Sequence, residues 1–195
     1  MKNKGLLIGL GILLILFFWG CNGYNGLVTS DQSVKKTWSN VETNYQRRSD
    51  LYSTVIKTIE GSANFEKSTL KDVLEARSKA TSIQVNINDP ASLEAYQKAQ
   101  ASLQSSFSKL LAVMENYPDL KTTQQFKDFQ AQQEGTENRI NVARQDYNKA
   151  IEDYNLNVKK FPRVILARLF GYGEKPFYKA EEGADKAPDI NFNIK

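Results

Sequence analysis

The chain has 195 residues, a net charge of +4, no histidine and one cysteine. Without histidine it lacks the commonest general base and metal ligand, and one thiol supplies neither a thiolate cluster nor an intramolecular disulfide. Lys2 and Lys4 carry much of the net charge; the remainder is close to balance, which argues against nucleic acid as a partner, since that would require a clustered basic face.

After the lysines of the first four residues, Gly5 to Gly20 reads GLLIGLGILLILFFWG, with no charged residue. As a helix this covers about 24 Å, short of a hydrocarbon core of roughly 30 Å unless the uncharged residues as far as Leu27 contribute. Residues 1–27 therefore read as a signal anchor or as a signal-peptide core. Either reading sends the rest of the chain across the membrane, because the lysines lie on the amino side and Lys35 is the next positive charge. The expected arrangement is a single crossing, with the helical domain on the far side of the membrane from the lysines. Cys21 directly follows this apolar run and offers a second possibility, an acylated lipoprotein cysteine. Phe17, Phe18 and Trp19 are bulky where such a processing site needs small residues. Mass spectrometry separates the two, since an intact Met1 end rules out processing at Cys21.

Residues 28–162 read as helices. After NGYNGL, Thr29 with Gln32 forms a capping-box pair that predicts a helix start. Val34, Trp38, Val41, Tyr45, Arg48, Tyr52, Val55 and Ile59 then recur at steps of four and three, up to a stop near Gly61. Arg48 lies within this apolar seam, so it either finds a carboxylate or carbonyl partner or snorkels at the margin. A shorter helix is predicted from Ser68, with Leu70, Val73, Leu74 and Arg77 on one side. Asp89 and Pro90 read as N-cap and first residue of a third helix. Its seam is Leu93, Tyr96, Gln100, Leu103, Phe107, Leu110, Met114 and Tyr117, ended by Pro118. Thr122 with Gln125 caps the fourth and longest helix. Phe126, Phe129, Gln133, Thr136, Ile140, Ala143, Tyr147, Ala150, Tyr154, Val158 and Phe161 form its seam. Gly135 lies inside it and is expected to admit a close neighbour rather than act as a hinge.

Four helices joined by short turns alternate in direction. The fold class expected is all-α: an N-terminal membrane helix followed by a long antiparallel helical hairpin, thickened into a four-helix bundle at its distal end. That geometry returns residues 163–180 to the membrane. This segment is rich in cations and contains Val164, Ile165, Leu166, Leu169 and Phe170. Arg163, Arg168 and Phe170 are candidates for contact with lipid headgroups; the alternative is that these apolar residues cap the end of the bundle. Residues 181–195 read as a disordered tail.

No paired carboxylates, nucleophile with a base, phosphate loop or metal spacing is present. Glu134 and Glu137 on the long helix read as a solvated face. The serines include no GxSxG or SxxK pattern. Tyr147-Asn148 and Tyr154-Asn155 repeat a dipeptide one heptad apart, which reads as core tyrosines with their hydroxyls at the edge. The expectation is no catalytic residues, no cofactor and no metal.

Several pieces together carry a family resemblance: YNGLV at Tyr24 to Val28, VETNYQRRSDL at Val41 to Leu51, EAR at Glu75 to Arg77, ENYPDL at Glu115 to Leu120, ENRINVARQDYN at Glu137 to Asn148, and the YN of Tyr154 followed by Phe161-Pro162. In this the chain resembles the LemA family. The motif positions are Tyr24, Asn25, Arg47, Arg48, Arg77, Tyr117, Pro118, Glu137, Asn138, Arg139, Arg144, Tyr147, Asn148, Tyr154, Asn155 and Pro162. Where the family pattern usually continues with Ile-Pro-Asn, this chain has Tyr52, Ser53 and Thr54, so its first helix should be straighter. The resemblance implies a single-pass protein of the bacterial inner membrane, with its helical bundle in the periplasm and no established activity. It also implies a partner such as a TPM-domain membrane protein, whose genes often neighbour those of the family.

The reading that results is a non-enzymatic, membrane-anchored helical scaffold that binds another envelope protein or assembles as a homo-oligomer. The alternatives are a processed surface lipoprotein acting as receptor or adhesin, and a hydrolase with an unrecognised site. The last would require a concave pocket lined by convergent ionisable groups.

Overall fold

A computed structural model describes residues 3–60, 67–117 and 124–179. The expected Gly61 stop, the Pro118 stop, the Thr122 cap and the tail at 181–195 lie outside these residues. Among those described there is no strand.

Helix α1 spans Asn3–Glu60, 58 residues, or about 87 Å of helix. It passes through NGYNGL without a break, so the start expected at Thr29 is not found. Glycine in a helix interior costs only about 1 kcal/mol relative to alanine, and no proline is present to force an end. Here tertiary packing makes use of both glycines. A β-carbon on Gly23 would lie 2.5 Å from the Leu166 side chain, and one on Gly26 would lie 3.5 Å from the Arg163 guanidinium. Ser30, beside the expected cap, bonds back along the helix to the carbonyls of Gly26 and Leu27. The helix also runs unbroken through Tyr52, Ser53 and Thr54.

Helix α2 spans Lys67–Ser82 and α3 spans Pro90–Val113. The N-cap of α3 is Asp89, whose carboxylate accepts from the Ala91 amide at 3.0 Å. Before reaching Pro118, α3 tightens into a 3-10 turn over Met114–Asn116. Helix α4 covers Gln124–Lys159, 36 residues, and a short α5 covers Arg163–Leu169.

All eight residues of the α1 seam are buried, as is the α3 seam as far as Met114. The α4 seam is buried from Phe126 to Val158 except for Gln133, which is half-buried. Phe161 departs from it: α4 has ended and the ring is 81% exposed. On α2, Leu74 faces outward and Ala80 is buried with Val73. Gly135 is exposed, and a β-carbon there would meet nothing within 4 Å, so it admits no close neighbour.

Ring contacts fix the directions. Trp38 meets Tyr96 of α3 and Tyr147 of α4, while Tyr52 stacks on Phe107 at 3.6 Å and lies 6.5 Å from Phe129. Along α1, α3 therefore runs parallel and α4 antiparallel. Helix α2 runs opposite to α3, to which a short turn joins it. The bundle has two adjoining cores, one around Trp38, Tyr45, Tyr96 and Tyr147 and one around Tyr52, Leu103, Phe107 and Phe129. After α5 the chain turns at Gly171, whose φ of +75° suits glycine.

Candidate functional site

Arg48 is 1% exposed. One terminal nitrogen donates to the backbone oxygen and Oε1 of Gln100, at 3.2 and 2.8 Å, and the other donates to Oε1 of Gln104 at 3.2 Å. The Glu137 carboxylate lies 3.5 Å away, and the guanidinium sits 4.7 Å from the Tyr45 ring centre. Arg48 is thus paired inside the bundle rather than snorkelling. It ties α1 to α3 and α4 at one level, and so fixes the register of three helices. A second arginine, Arg77 of α2, donates to the Ser49 hydroxyl at 3.2 Å.

The return of the chain after α5 was not legible as packing. Residues 172–179 run back along α4 and are clamped to it. Tyr154 donates to the Gly173 carbonyl at 2.9 Å. Asn155 holds both backbone groups of Lys175, at 3.0 and 2.9 Å, and Asn148 holds both backbone groups of Tyr178, at 3.0 and 2.8 Å. The Tyr-Asn dipeptides one heptad apart are the signal for this strap, since each puts a ring in the core and an amide beside it facing one groove. Lys175 is only 6% exposed, so it does not lie on a surface. Its ammonium pairs with Asp31 at 3.0 Å, donates to Asn88 and sits over the Tyr154 ring. Burial alone would raise the Asp31 carboxyl, but hydrogen bonds from Lys35 and Lys175 hold it below its ordinary value. Tyr178 reaches the Tyr45 hydroxyl at 2.6 Å, and Arg144 donates to that same hydroxyl. Burial pushes the Tyr52, Tyr147 and Tyr154 hydroxyls up to about 12 and raises those of Tyr96 and Tyr178 as well.

At the lower end α5 crosses α1. Ala167 is buried, Val164 and Leu166 are half-buried, and Arg163 donates to Asn157 at 2.6 Å. Phe170 lies 4.8 Å from Tyr24, ring centre to ring centre. Arg168 and Phe170 are exposed, as are Cys21, Asn25, Arg47, Asn138 and Arg139. These last five are not gathered into any one site. Tyr117 and Pro162 are half-buried.

A cavity of about 140 Å³ opens between α1, α2 and α3, lined by Glu42, Tyr45, Ser49, Tyr96 and Gln100 among others. It brings one carboxylate together with two phenols. A larger, shallow groove is lined by Ser39, Glu42, Thr43, Gln46, Arg47 and Asp50, all on the solvent face of α1. The cavity joins Glu42 and Tyr45 of α1 to Tyr96 of α3, whereas the ionisable groups of the groove all lie on α1. Among the described residues no cluster of three or more His, Cys, Asp or Glu could hold a metal ion.

The arrangement on the page is a helical bundle with polar clamps inside and an exposed apolar stretch from Leu7 to Phe18 at one end. The chain is similar to Magnetosome protein MamQ 2 of Paramagnetospirillum magneticum, 25% identical over 83% of this chain and 66% of that protein. MamQ of Magnetospirillum gryphiswaldense is 22% identical over the same shares. Protein LemA of Metamycoplasma hominis is 24% identical, over 86% of this chain and 74% of its own length. The chain thus spans about two thirds of the length of the magnetosome proteins it matches. The LemA family profile matches residues 37–192, most of the sequence. From the strap clamps through the buried arginine to the bundle that contains them, the matched region is the architecture itself, and the chain belongs to the LemA family.

Proposed function

We propose that this protein is a non-enzymatic, membrane-tethered scaffold. Its rigid helical rod presents its faces to another envelope protein, such as a TPM-domain membrane protein, or to further copies of itself. The observation that carries this reading is the state of α1. From Leu7 to Phe18 its large apolar side chains are 51 to 69% exposed, on a helix that continues into the bundle core. A soluble core helix of that composition would be covered, because such uninterrupted apolar surface is costly in water. It is also the one described helix long and apolar enough to cross a membrane. With Lys2 and Lys4 on the amino side, the bundle is expected outside the cytoplasm.

Crosslinking in intact cells, with the anchor present, tests the scaffold reading. A discrete adduct containing either a second copy or one reproducible membrane protein is expected. Recovery of monomer alone at every crosslinker length, with no co-purifying protein, would overturn the reading.

A further inference from the structure

We propose that α5 is a second membrane contact, a foot that lies on anionic phospholipid headgroups where α1 leaves the bilayer. The inference rests on the reading of α1 as a membrane span. Two separate measures meet at one level of the molecule. A hydrocarbon core of roughly 30 Å takes about 20 helical residues, and counted from Gly5 these reach Tyr24. Independently, α5 crosses α1 at Gly23 and Gly26, with Leu166 and Arg163 seated against them, and Phe170 packs on Tyr24.

What α5 leaves uncovered matches that level. Its inner side is Ala167, flanked by Val164 and Leu166. Its outer side presents Ile165 at 56% and Leu169 at 74% exposure, one helical turn apart, between Phe161 at 81% and Phe170 at 53%. Tyr24, Phe170 and Tyr172 cluster at the same height, the position that aromatic rings take at a bilayer boundary. The cations there divide into two groups. Lys159 is tied to Glu174, and Lys175 is buried against Asp31. Lys160 and Arg168 are exposed beside the apolar ridge, the arrangement of an interfacial amphipathic segment on acidic lipid. Lipid rather than a protein is the occupant because α5 is seated on α1 at Gly23 and Gly26, a few residues beyond the exposed apolar surface of residues 7–18. Higher on the bundle, large exposed apolar side chains are scattered singly.

The test uses the full chain with Cys21→Ser, reconstituted into vesicles of phosphatidylcholine alone or mixed with phosphatidylglycerol. Spin labels are placed in turn through Ile12→Cys, Ser108→Cys, Ile165→Cys and Leu169→Cys. Accessibility to oxygen, which partitions into lipid, is compared with accessibility to a water-soluble nickel chelate. In the mixed vesicles, labels at Ile165 and Leu169 should show an oxygen-to-nickel ratio several-fold above that at Ser108 and below that at Ile12. Lys160→Glu with Arg168→Glu should lower the Leu169 ratio in mixed vesicles and leave it unchanged in phosphatidylcholine. If Ile12 reports lipid while Ile165 and Leu169 match Ser108, the foot is refuted and the anchor stands. If Ile12 reports water, the anchor reading falls and takes this inference with it. Labels shielded from both reagents would mean a protein cover, and an unchanged ratio in the charge-reversed variant would refute the headgroup contact; either result overturns the proposal.

Discussion

Replacing Asn155 by alanine should release the strap locally while leaving the bundle folded. The Asn155 side chain donates to the Lys175 carbonyl and accepts from its amide, at 3.0 and 2.9 Å, in a buried setting. At about 1 kcal/mol net per hydrogen bond, the loss is about 2 kcal/mol. The orphaned backbone groups regain partners only by reaching water, so the cost favours lifting the strap rather than tolerating the vacancy. Lifting also exposes Tyr178 and the Lys175 ammonium, so the opening is resisted by the Asp31 pair and by Asn148. About 2 kcal/mol corresponds to a roughly 30-fold rise in the open population. Hydrogen exchange of the full chain, followed by mass spectrometry on a peptide covering residues 172–179, reads this directly. The Lys175 and Tyr178 amides should exchange roughly 30-fold faster, with α1 and α3 unchanged, and Asn148→Ala with Asn155→Ala should go further still. Unaltered protection of the strap in the double variant would refute the clamp.

Four other outcomes follow from the same contacts. Gly135→Ala should stabilise the protein by about 0.5 to 1 kcal/mol, read as a higher Tm, because the added methyl enters open space on a helix. Tyr147→Phe should be neutral or stabilising, since that hydroxyl is buried without a partner, whereas Tyr45→Phe should cost about 1 to 3 kcal/mol by removing one acceptor of Arg144 and the hydroxyl that Tyr178 bonds; urea midpoints distinguish them. Asp31 has a folded pKa below its ordinary 3.8, so its contribution is complete above that value and is lost as pH falls through the lower folded value. Asp31→Asn should therefore be less stable at neutral pH and lose less on acidification, and parallel urea-midpoint curves would count against the pair. In alkali the signs reverse: unfolded tyrosines ionise near 10 while buried Tyr52, Tyr147 and Tyr154 hold to about 12. Their stabilisation is lost between those values, and absorbance at 295 nm should show these rings titrating together with unfolding.

The bundle was legible because its seams are long and unambiguous. Val34 to Ile59 and Leu93 to Met114 repeat at steps of three and four with no polar interruption that the core cannot absorb. Arg48 announced a partner because a lone guanidinium in such a seam has to have one, although Gln100 and Gln104 gave no sign of being it. Local signals failed where tertiary contacts outweighed them. The Thr29-Gln32 pair has capping chemistry, yet α1 runs on because α5 occupies the space that Gly23 and Gly26 vacate. Gly135 shows the reverse, a glycine with no neighbour to admit. The strap was missed because residues 172–179 have no period of their own. Their order comes from asparagines some 20 to 30 positions earlier, a relation that no local window contains.

The unbroken course of α1 makes the anchor and the bundle a single lever. From Tyr24 to Glu60 its arm measures about 54 Å. A bilayer that thins or thickens changes the lean of a spanning helix, and with no joint at the fulcrum a lean of about 10° carries the far tip sideways by about 9 Å, simple trigonometry on that arm. Under the proposed tether, a change of lean at the base would be carried to the summit as displacement, since α1 has no break between Tyr24 and Glu60.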